Sequence, residues 1–324
     1  MKWSFSTSKM FLHCPRKWYY SQIAASHAAK NPLRREAFLL KQLQSVYAWR
    51  GRLVDTVIEK VIVPGIKSKN LPSQDDAITF SINLMKKQLK FGKERKFRCN
   101  NATKSSVGET YCAFYDMEYN GGLDENSVLK AKEDVIVSLR NLLRSNLIRE
   151  IMEKSSYIAA QRSLIFHFEE TTISCTPDLL VFFPNESPLI IDWKVHAFAR
   201  ADYWLQLGIY AIALSRIEPH KDFPKGIKSQ LEDPTTFRLI EYQLLKNEQR
   251  EYSISLEDIA DIEDYIFLSC TQMNNLLNGK KFKELDIEQF RTARFPETCC
   301  KCQFRKLCWR KTTVQRSLFE VPWT

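Results

Sequence analysis

The chain contains the apolar stretch TPDLLVFF at residues 176–183 and, four residues later, the stretch PLIIDWKV at residues 188–195. Short apolar runs rich in branched and aromatic residues are typical of buried strands. Only PNES, at residues 184–187, separates the two runs, and its proline and asparagine favour a turn. The sequence therefore predicts a β-hairpin in the middle of the chain.

Three charged side chains are expected to converge at the tip of this hairpin, namely Asp178, Asp192 and Lys194. Successive strand residues face opposite sides, so Asp192 and Lys194 share one face and Trp193 lies on the other. Two carboxylates and an ammonium group on apolar strands are costly to remove from water. A divalent metal ion with a reactive water would explain that cost. A plain salt bridge between Asp178 and Lys194 is the alternative.

Length and charge set broad limits on the function. The chain has 324 residues, enough for one large domain or two modest ones, and a net charge of +10. A basic balance favours an anionic partner without identifying it as nucleic acid. No apolar run reaches 18 residues and the first residues lack a signal-peptide pattern, so we expect a cytoplasmic protein with no membrane partner. Its nine cysteines are then expected as thiols or metal ligands.

Hydrophobic spacing divides the chain into five segments. They are an N-terminal segment at 1–35, a first core helix at 36–60, a mostly helical insertion at 61–155, a core at 156–250, and a C-terminal helix with a cysteine-rich segment at 251–324. The order of helix, hairpin, helix and strand predicts a mixed α/β core with helices around it.

Local patterns give finer expectations. Helices are expected at about 36–63, 124–150 and 200–216, and strands from about 157 to 195 and at 237–245. The stretch 66–125 is interpreted as polar and irregular. Ser255 and Asp258 match a capping box that opens a last long helix.

Three cysteines near the end of the chain, Cys299, Cys302 and Cys308, have the spacing C-x2-C-x5-C, and Cys300 stands between the first two. Such spacing is typical of a metal site that needs a fourth ligand. Cys14 is the best candidate, because it stands alone in a Cys-Pro-Arg segment near the other terminus. Spacing does not separate an iron–sulfur cluster from zinc, and unrelated free thiols are the third interpretation.

Taken together, these elements resemble the PD-(D/E)XK nuclease superfamily, and more closely its RecB-like branch with an iron–sulfur cluster, which includes the AddB nuclease domain and CRISPR-associated adaptation nucleases. The matching elements are Pro177-Asp178, Asp192-Trp193-Lys194, Gln206 with Tyr210 in a Q-x-x-x-Y pattern, and Cys14 with Cys299, Cys302 and Cys308. The resemblance runs from Ser6 to Cys308.

The chain departs from the family pattern at two places. The family usually shows G-x-x-x-H-x-x-x-E on its first core helix, and here Gly51 and Glu59 are present but Asp55 replaces the histidine. Aspartate can still bind a hard cation, and it favours magnesium or manganese. After Lys194 the family often continues with a small residue and glycine, whereas this chain continues with Val195-His196.

The resemblance implies a restriction-endonuclease-like core, a mixed sheet flanked by helices, with a helical insertion and terminal regions joined by an iron–sulfur cluster. It implies Mg2+ or Mn2+ at Asp55, Asp178 and Asp192, catalytic roles for Asp178, Asp192, Lys194, Gln206 and Tyr210, and a [4Fe–4S] cluster on Cys14, Cys299, Cys302 and Cys308. The carbonyl of Trp193 or Val195 would complete the metal shell.

A basic run is a candidate DNA-binding surface, formed by Lys86, Lys87, Lys90, Lys93, Arg95, Lys96 and Arg98. Most basic runs are simply solvated faces. Because Phe91 and Phe97 are interleaved with the basic residues, stacking on single-stranded bases is a second interpretation.

The predicted function is that of a metal-dependent deoxyribonuclease acting on single strands or DNA ends, as an exonuclease or an endonuclease, in repair, recombination or defence, with a helicase or another repair or defence protein as a candidate partner. The alternative is a catalytically silent DNA-binding module or a subunit of a helicase–nuclease complex, which the exchange at Asp55 keeps open. A zinc-stapled scaffold protein is a third interpretation.

Overall fold

A computed structural model of the chain describes residues 2–195 and 203–309. The chain forms two compact units. The sheet unit comprises Met1–Phe5, Val46–Lys90 and Leu123–Leu268, and the cysteine unit comprises Ser6–Ser45, Phe91–Gly122 and Ser269–Thr324. Because each unit is assembled from three separate pieces of chain, the units cut across the five segments predicted from the sequence.

The strands form two sheets. Their bounds are β1 Lys2–Trp3, β2 Tyr157–Ala160, β3 Leu164–Phe168, β4 Thr171–Cys175, β5 Leu179–Phe183, β6 Glu186–Lys194, β7 Arg238–Gln243 and β8 Glu248–Tyr252. The larger sheet has the order β2-β5-β6-β7-β8 and the smaller one β1-β4-β3. Both sheets mix parallel and antiparallel pairs, because β1 pairs with β4, and β6 with β7, in parallel.

Helices account for most of the remaining described chain. Their bounds are α1 Phe5–His13, α2 Pro15–Trp18, α3 Pro32–Lys41, α4 Val46–Val57, α5 Val63–Lys67, α6 Gln74–Lys93, α7 Lys104–Val107, α8 Tyr115–Tyr119, α9 Glu125–Arg144, α10 Asn146–Lys154, α11 Tyr203–Arg216, α12 Lys228–Leu231, α13 Leu256–Leu277, α14 Pro296–Cys300 and α15 Arg305–Cys308. Two π-helical turns, at Tyr19–Ala24 and Ile58–Ile62, extend α2 and α4. Among the described residues, no helix is both long and apolar enough to cross a bilayer.

The hairpin predicted from the sequence is confirmed as β5 and β6, which pair in antiparallel fashion. The chain reverses through Pro184 and Asn185, and Asn185 adopts a positive φ of 58°, which asparagine tolerates better than most residues. All five residues of β5 are buried, as expected for a strand with neighbours on both sides and layers on both faces. This apolar hairpin forms the centre of the sheet unit.

The predicted helix over 36–63 is wrong in one respect, because the chain leaves helical geometry between α3 and α4. The backbone N–H of Gln44 donates to the carbonyl of Ala113 at 3.0 Å, and its carbonyl accepts from the N–H of Tyr115 at 2.8 Å. These bonds form an isolated parallel bridge centred on Phe114. A long-range pairing therefore interrupts a segment whose local pattern is helical.

The interpretation of 66–125 as irregular is also wrong, because α6 is a helix of 20 residues. Ala77, Leu84, Met85 and Phe91 are buried at helical spacing, while the lysines between them are exposed.

The predicted helix over 124–150 is divided in two at Ser145, whose hydroxyl accepts the N–H of Ile148 and caps α10. The helix predicted over 200–216 is confirmed from Tyr203 onwards, and its first three residues lie outside the described part of the chain. The remaining strand predictions are confirmed within a few residues.

The capping box predicted at the start of α13 is confirmed. The Ser255 hydroxyl accepts the N–H of Asp258 at 3.1 Å, and the Asp258 carboxylate accepts the N–H of Ser255 at 2.7 Å. These bonds satisfy two backbone donors that a helix start otherwise leaves unpaired.

Candidate active site and cysteine cluster

The strand register places the predicted charges at the open end of the hairpin, so their expected position at its tip is wrong. Leu179 pairs with Ile191, and Asp178 and Asp192 follow on the side away from the turn. The turn at Pro184 and Asn185 closes the opposite end. The charges therefore lie where both strands leave the hairpin, which is also where β6 runs parallel to β7.

Asp192 is only 4% exposed and is held by two neighbours. The Lys194 ammonium forms an ion pair with one carboxylate oxygen, as their shared face predicts. Gln206 on α11 donates from Nε2 to the other oxygen at 3.1 Å, and its Nε2 also lies 2.5 Å from the Tyr210 hydroxyl. The Lys194 Nζ is 3.4 Å from the Gln206 Oε1, so Gln206 braces both charged groups. Trp193 faces the other side and packs near the Tyr242 ring.

Asp178 is held by the backbone of the neighbouring strand and by a residue that the sequence did not reveal. One carboxylate oxygen accepts the N–H of Trp193 at 2.8 Å, and the other accepts from the Gln161 amide at 2.9 Å. Gln161 has a φ of 49° and also donates its own N–H to the Asp178 carbonyl. Only the pairing of β2 with β5 brings it there, so local pattern gives no sign of its role.

Asp55 on α4 interacts electrostatically with the hairpin carboxylates. Burial and the charge of Asp192 raise the pKa of Asp55 to about 7. Burial raises the pKa of Asp178 well above its usual value, with Asp192 and Asp55 adding to the rise. Burial also raises the pKa of Asp192, opposed by the charge of Lys194. The structure thus brings together the three carboxylates that the sequence singled out.

The donor set fits a hard divalent cation. Among the described residues, no three His, Cys, Asp or Glu side chains are already arranged as ligands of one ion. However, Asp55, Asp178 and Asp192 offer only oxygen donors, and repulsion by Asp192 raises the pKa of both Asp55 and Asp178, with Asp55 adding to the rise at Asp178. A divalent cation would relieve that repulsion, and oxygen ligands suit Mg2+ or Mn2+. That these residues are metal ligands stays a prediction.

We expect Asp55→Asn to weaken Mg2+ or Mn2+ binding and to stabilise the metal-free protein at alkaline pH. A carboxyl with a raised pKa stabilises the fold below its unfolded pKa, and this contribution is lost as pH rises through about 7. The free energy of unfolding of the metal-free wild type should therefore fall by up to about 4 kcal/mol between pH 4 and pH 8 because of this group. This contribution should be absent from Asp55→Asn.

Denaturant titrations at several pH values in EDTA, with calorimetric Mn2+ titrations, measure both effects. Asp55→His should restore metal binding that Asp55→Asn lacks, because imidazole is also a metal ligand. Glu59→Gln, one helical turn further on and partly exposed, is the matched control. Equal Mn2+ affinity in wild type and Asp55→Asn would remove Asp55 from the metal site.

Glu241 is a second acidic group beside the site that sequence reasoning missed. It lies on β7 directly opposite Asp192 in the parallel register and is fully buried. Its carboxylate accepts from the Gln243 amide at 2.7 Å and from the Tyr252 hydroxyl at 2.8 Å. Its charge contributes to the raised pKa of Asp192. Alternation within the predicted strand 237–245 contained this signal, but only the strand order shows what Glu241 faces.

A sequence model of the PD-(D/E)XK nuclease superfamily matches residues 2–309. The chain belongs to the PD-(D/E)XK nuclease superfamily. Its mixed sheets flanked by helices agree with that fold. No curated protein matches the chain. Membership implies a metal-dependent nuclease with DNA as substrate, and nucleases of this superfamily use divalent cations such as Mg2+ or Mn2+.

Arg50 connects the first core helix of this PD-(D/E)XK protein to the end of β6. It is buried, forms an ion pair with Asp134 on α9, and donates to the carbonyl of Val195, the residue after Lys194. This bond occupies one of the two carbonyls expected to complete the metal shell. His196 lies outside the described residues.

We expect Arg50→Met to destabilise the protein by about 3–5 kcal/mol, since it leaves the Asp134 carboxylate buried with one remaining cation, Lys130, at 3.2 Å. Urea unfolding of wild type, Arg50→Met and the exposed control Lys60→Met measures the difference. A loss below about 1 kcal/mol, the range of an exposed pair, would show that this ion pair is not a structural anchor.

The four predicted cluster cysteines lie together in the cysteine unit. Cys14, Cys299, Cys302 and Cys308 line one small cavity of about 20 Å³, and Cys300 does not line it. Burial raises the pKa of Cys302 to about 11, and the neighbouring Cys14 and Cys308 add to the rise. Burial followed by the charge of Cys14 likewise raises the pKa of Cys299. Cys14 and Cys308 thus raise the pKa of both Cys299 and Cys302, and thiols this close together fit a shared cation or cluster.

The cysteine-rich segment is fastened by contacts that do not involve sulfur. The carbonyl of Cys300 accepts from the Tyr115 hydroxyl and from Arg305, each at 2.7 Å. Lys306 bonds to the buried carboxylate of Glu118, which also receives Arg95. These bonds hold the backbone between the cysteines, so the segment does not depend on bound metal alone for its position.

The basic run is only partly available to bind an anion. Arg95 and Arg98 form ion pairs with Glu118, and Lys96 with Glu94. The other four members of the run are exposed and form no ion pair within the described part of the chain, namely Lys86, Lys87, Lys90 and Lys93. Phe91 and Phe97 are buried, so the interpretation that they stack on single-stranded bases is wrong.

Proposed function

We propose that this PD-(D/E)XK protein is a deoxyribonuclease of the RecB-like, AddB-type branch that hydrolyses phosphodiester bonds on single strands or at DNA ends. The observation that carries the proposal is the buried ion pair of Asp192 and Lys194, braced by Gln206 and placed beside Asp178 and Asp55. A surface salt bridge would need neither burial nor this bracing. Repair, recombination or defence, in the cytoplasm and with a helicase or another repair or defence protein as partner, is the proposed setting.

The residues of the site divide the chemistry among themselves. Asp55, Asp178 and Asp192 would hold Mg2+ or Mn2+, which when bound makes a water nucleophilic and neutralises developing charge on the phosphate. Lys194, whose ammonium pairs with Asp192, would orient the attacking water or stabilise the charge on the scissile phosphate. Gln206 fixes both side chains, and Tyr210 fixes Gln206.

We propose further that Cys14, Cys299, Cys302 and Cys308 bind a [4Fe–4S] cluster. Their common cavity supports a shared site. The spacing fits zinc equally well, and the resemblance to the RecB-like branch is the reason for proposing iron–sulfur. The exposed lysines of α6, Lys86, Lys87, Lys90 and Lys93, are proposed as phosphate contacts, because three of them lie on one helix face at positions i, i+4 and i+7.

The proposed substrate preference is tested by incubating the protein with Mn2+ and three labelled DNAs: a linear single strand, a linear duplex and a covalently closed single-stranded circle. Loss of the linear single strand with survival of the circle indicates exonuclease action at ends, and nicking of the circle indicates an endonuclease. Cleavage of the linear duplex, with both single-stranded DNAs left intact, would contradict the preference for single strands.

A catalytically silent DNA-binding module is the second candidate, favoured by one observation. Asp55 stands where the family has histidine, and burial together with the charge of Asp192 raises its pKa to about 7. DNA binding without cleavage of any of the three substrates, in Mg2+ and in Mn2+, would select this candidate.

A further inference from the structure

The cysteine unit contains a large cavity that the nuclease site does not use. Its volume is about 480 Å³, within the range of small-molecule sites, and it is bounded by α3 and by residues 97–105. None of its lining residues in the described part of the chain is acidic. A cavity of this size without carboxylates suits an anionic ligand.

Basic side chains line this cavity from two sides. Arg35 and His27 contribute from the α3 side and Lys104 from the opposite segment. The Arg35 guanidinium is fixed in place, because it donates to the His27 carbonyl and to Asn100 Oδ1. A pre-positioned guanidinium binds phosphate at a lower entropic cost than a freely moving one.

Aromatic rings line the same cavity. Phe38 and Tyr111 are each half-buried, so part of each ring is accessible. The His27 ring contacts Phe38 edge to face, with centroids 5.0 Å apart, and Phe91 supports Tyr111 with centroids 5.4 Å apart. Rings braced in this way offer stable surfaces for a planar base.

We propose that this cavity binds one unpaired nucleotide, with the phosphate at Arg35 and Lys104 and the base against Phe38 or Tyr111. The combination of fixed cation, aromatic rings and no acidic lining is what a single-stranded nucleic acid requires. The inference rests on the proposed function, since it locates where a single-stranded substrate is held. The nucleotide belongs either to a strand or to a free mononucleotide, and the chemistry of recognition is the same.

Fluorescence anisotropy of a labelled oligothymidylate, measured in EDTA, tests the proposal without cleavage. We expect Phe38→Ala and Lys104→Ala each to weaken binding about tenfold, the loss of one stacked base or one phosphate contact. The matched controls are Phe295→Ala and Lys30→Ala, both exposed in the same unit and outside the cavity, and each should stay within about twofold of wild type. Phe38→Leu removes the ring but keeps apolar volume, so it should fold even if Phe38→Ala folds poorly. It should still weaken binding, because no ring remains at this position for a base to stack on.

Cys99 gives an independent measurement, because its exposed thiol lines the cavity. An oligonucleotide with a thiol activated as a mixed disulfide on one base should attach to wild type and not to Cys99→Ser. Attack by the Cys99 thiolate forms the protein–DNA disulfide and releases the small thiol. If thymidine monophosphate competes for the site and prevents attachment of the oligonucleotide, the site binds a free nucleotide. If it fails to compete, the site binds a strand.

Wild-type affinity in Phe38→Leu, Phe38→Ala and Lys104→Ala would overturn the proposal. If the three variants bind with wild-type affinity and the wild type cleaves DNA normally, the nuclease assignment remains intact. Weakened binding in these variants of a chain that cleaves nothing would support the cavity and contradict the nuclease activity, so the two failures are distinguishable.

Discussion

Asp192→Ala is expected to reduce DNA cleavage by at least about 10³-fold while leaving the protein folded. The substitution removes the most buried carboxylate of the site and leaves Lys194 without its ion-pair partner. Single-turnover cleavage of labelled DNA measures the effect, and circular dichroism with thermal unfolding verifies the fold. Lys60→Ala, which removes an exposed lysine of the same unit, is the control and should cleave at the wild-type rate.

Lys194→Ala is expected to lose as much activity for a different reason. It removes the group that we propose to orient water or stabilise charge, but it leaves Asp55, Asp178 and Asp192 in place. Calorimetry with Mn2+ should therefore show binding in Lys194→Ala and weakened binding in Asp192→Ala. Wild-type cleavage by either variant would show that the reaction does not take place at this ion pair.

Single Cys→Ser variants at positions 14, 299, 302 and 308 are expected to lose iron and the visible absorption of an anaerobically purified protein. The thiols line one cavity and repel one another as thiolates, so each is needed to complete a four-ligand set. Because the ligands come from distant parts of the sequence, loss of the cluster removes a cross-link across nearly the whole chain. Thermal unfolding should then begin at a markedly lower temperature.

Cys300→Ser is the matched control for these variants, since Cys300 belongs to the same segment but does not line the cavity. It should keep wild-type iron and colour. Loss of iron in Cys300→Ser with retention in Cys299→Ser would show that the ligand register is shifted by one. A colourless protein with one bound zinc would replace the iron–sulfur proposal with the zinc site of the same four thiolates.

Much of the candidate active site is predictable from the sequence because its elements are local. Two apolar runs and a turn indicate the hairpin, and the alternation of β6 alone places Asp192 and Lys194 on one face. Likewise, the spacing of Gln206 and Tyr210 puts both on one face of α11. Each of these inferences uses residues within a few positions of one another.

What was missed depends on pairing between distant segments. Gln161 reaches Asp178 only because β2 pairs with β5, and Glu241 faces Asp192 only because β7 lies parallel to β6. Arg50 meets Val195 across 145 residues of sequence. The break before α4 has the same origin, since Gln44 leaves a helical segment to pair with residues near Phe114. Sequence periodicity shows which faces are apolar, but it does not show which elements meet.

The most direct test of the central claim is single-turnover cleavage of a single-stranded DNA by the purified chain in Mg2+, in Mn2+ and in EDTA, with Asp192→Ala prepared in parallel to detect contaminating nucleases. We expect cleavage in one or both metals, none in EDTA, and none by the variant in any condition. Equal cleavage by wild type and Asp192→Ala, or cleavage that persists in EDTA, would contradict it.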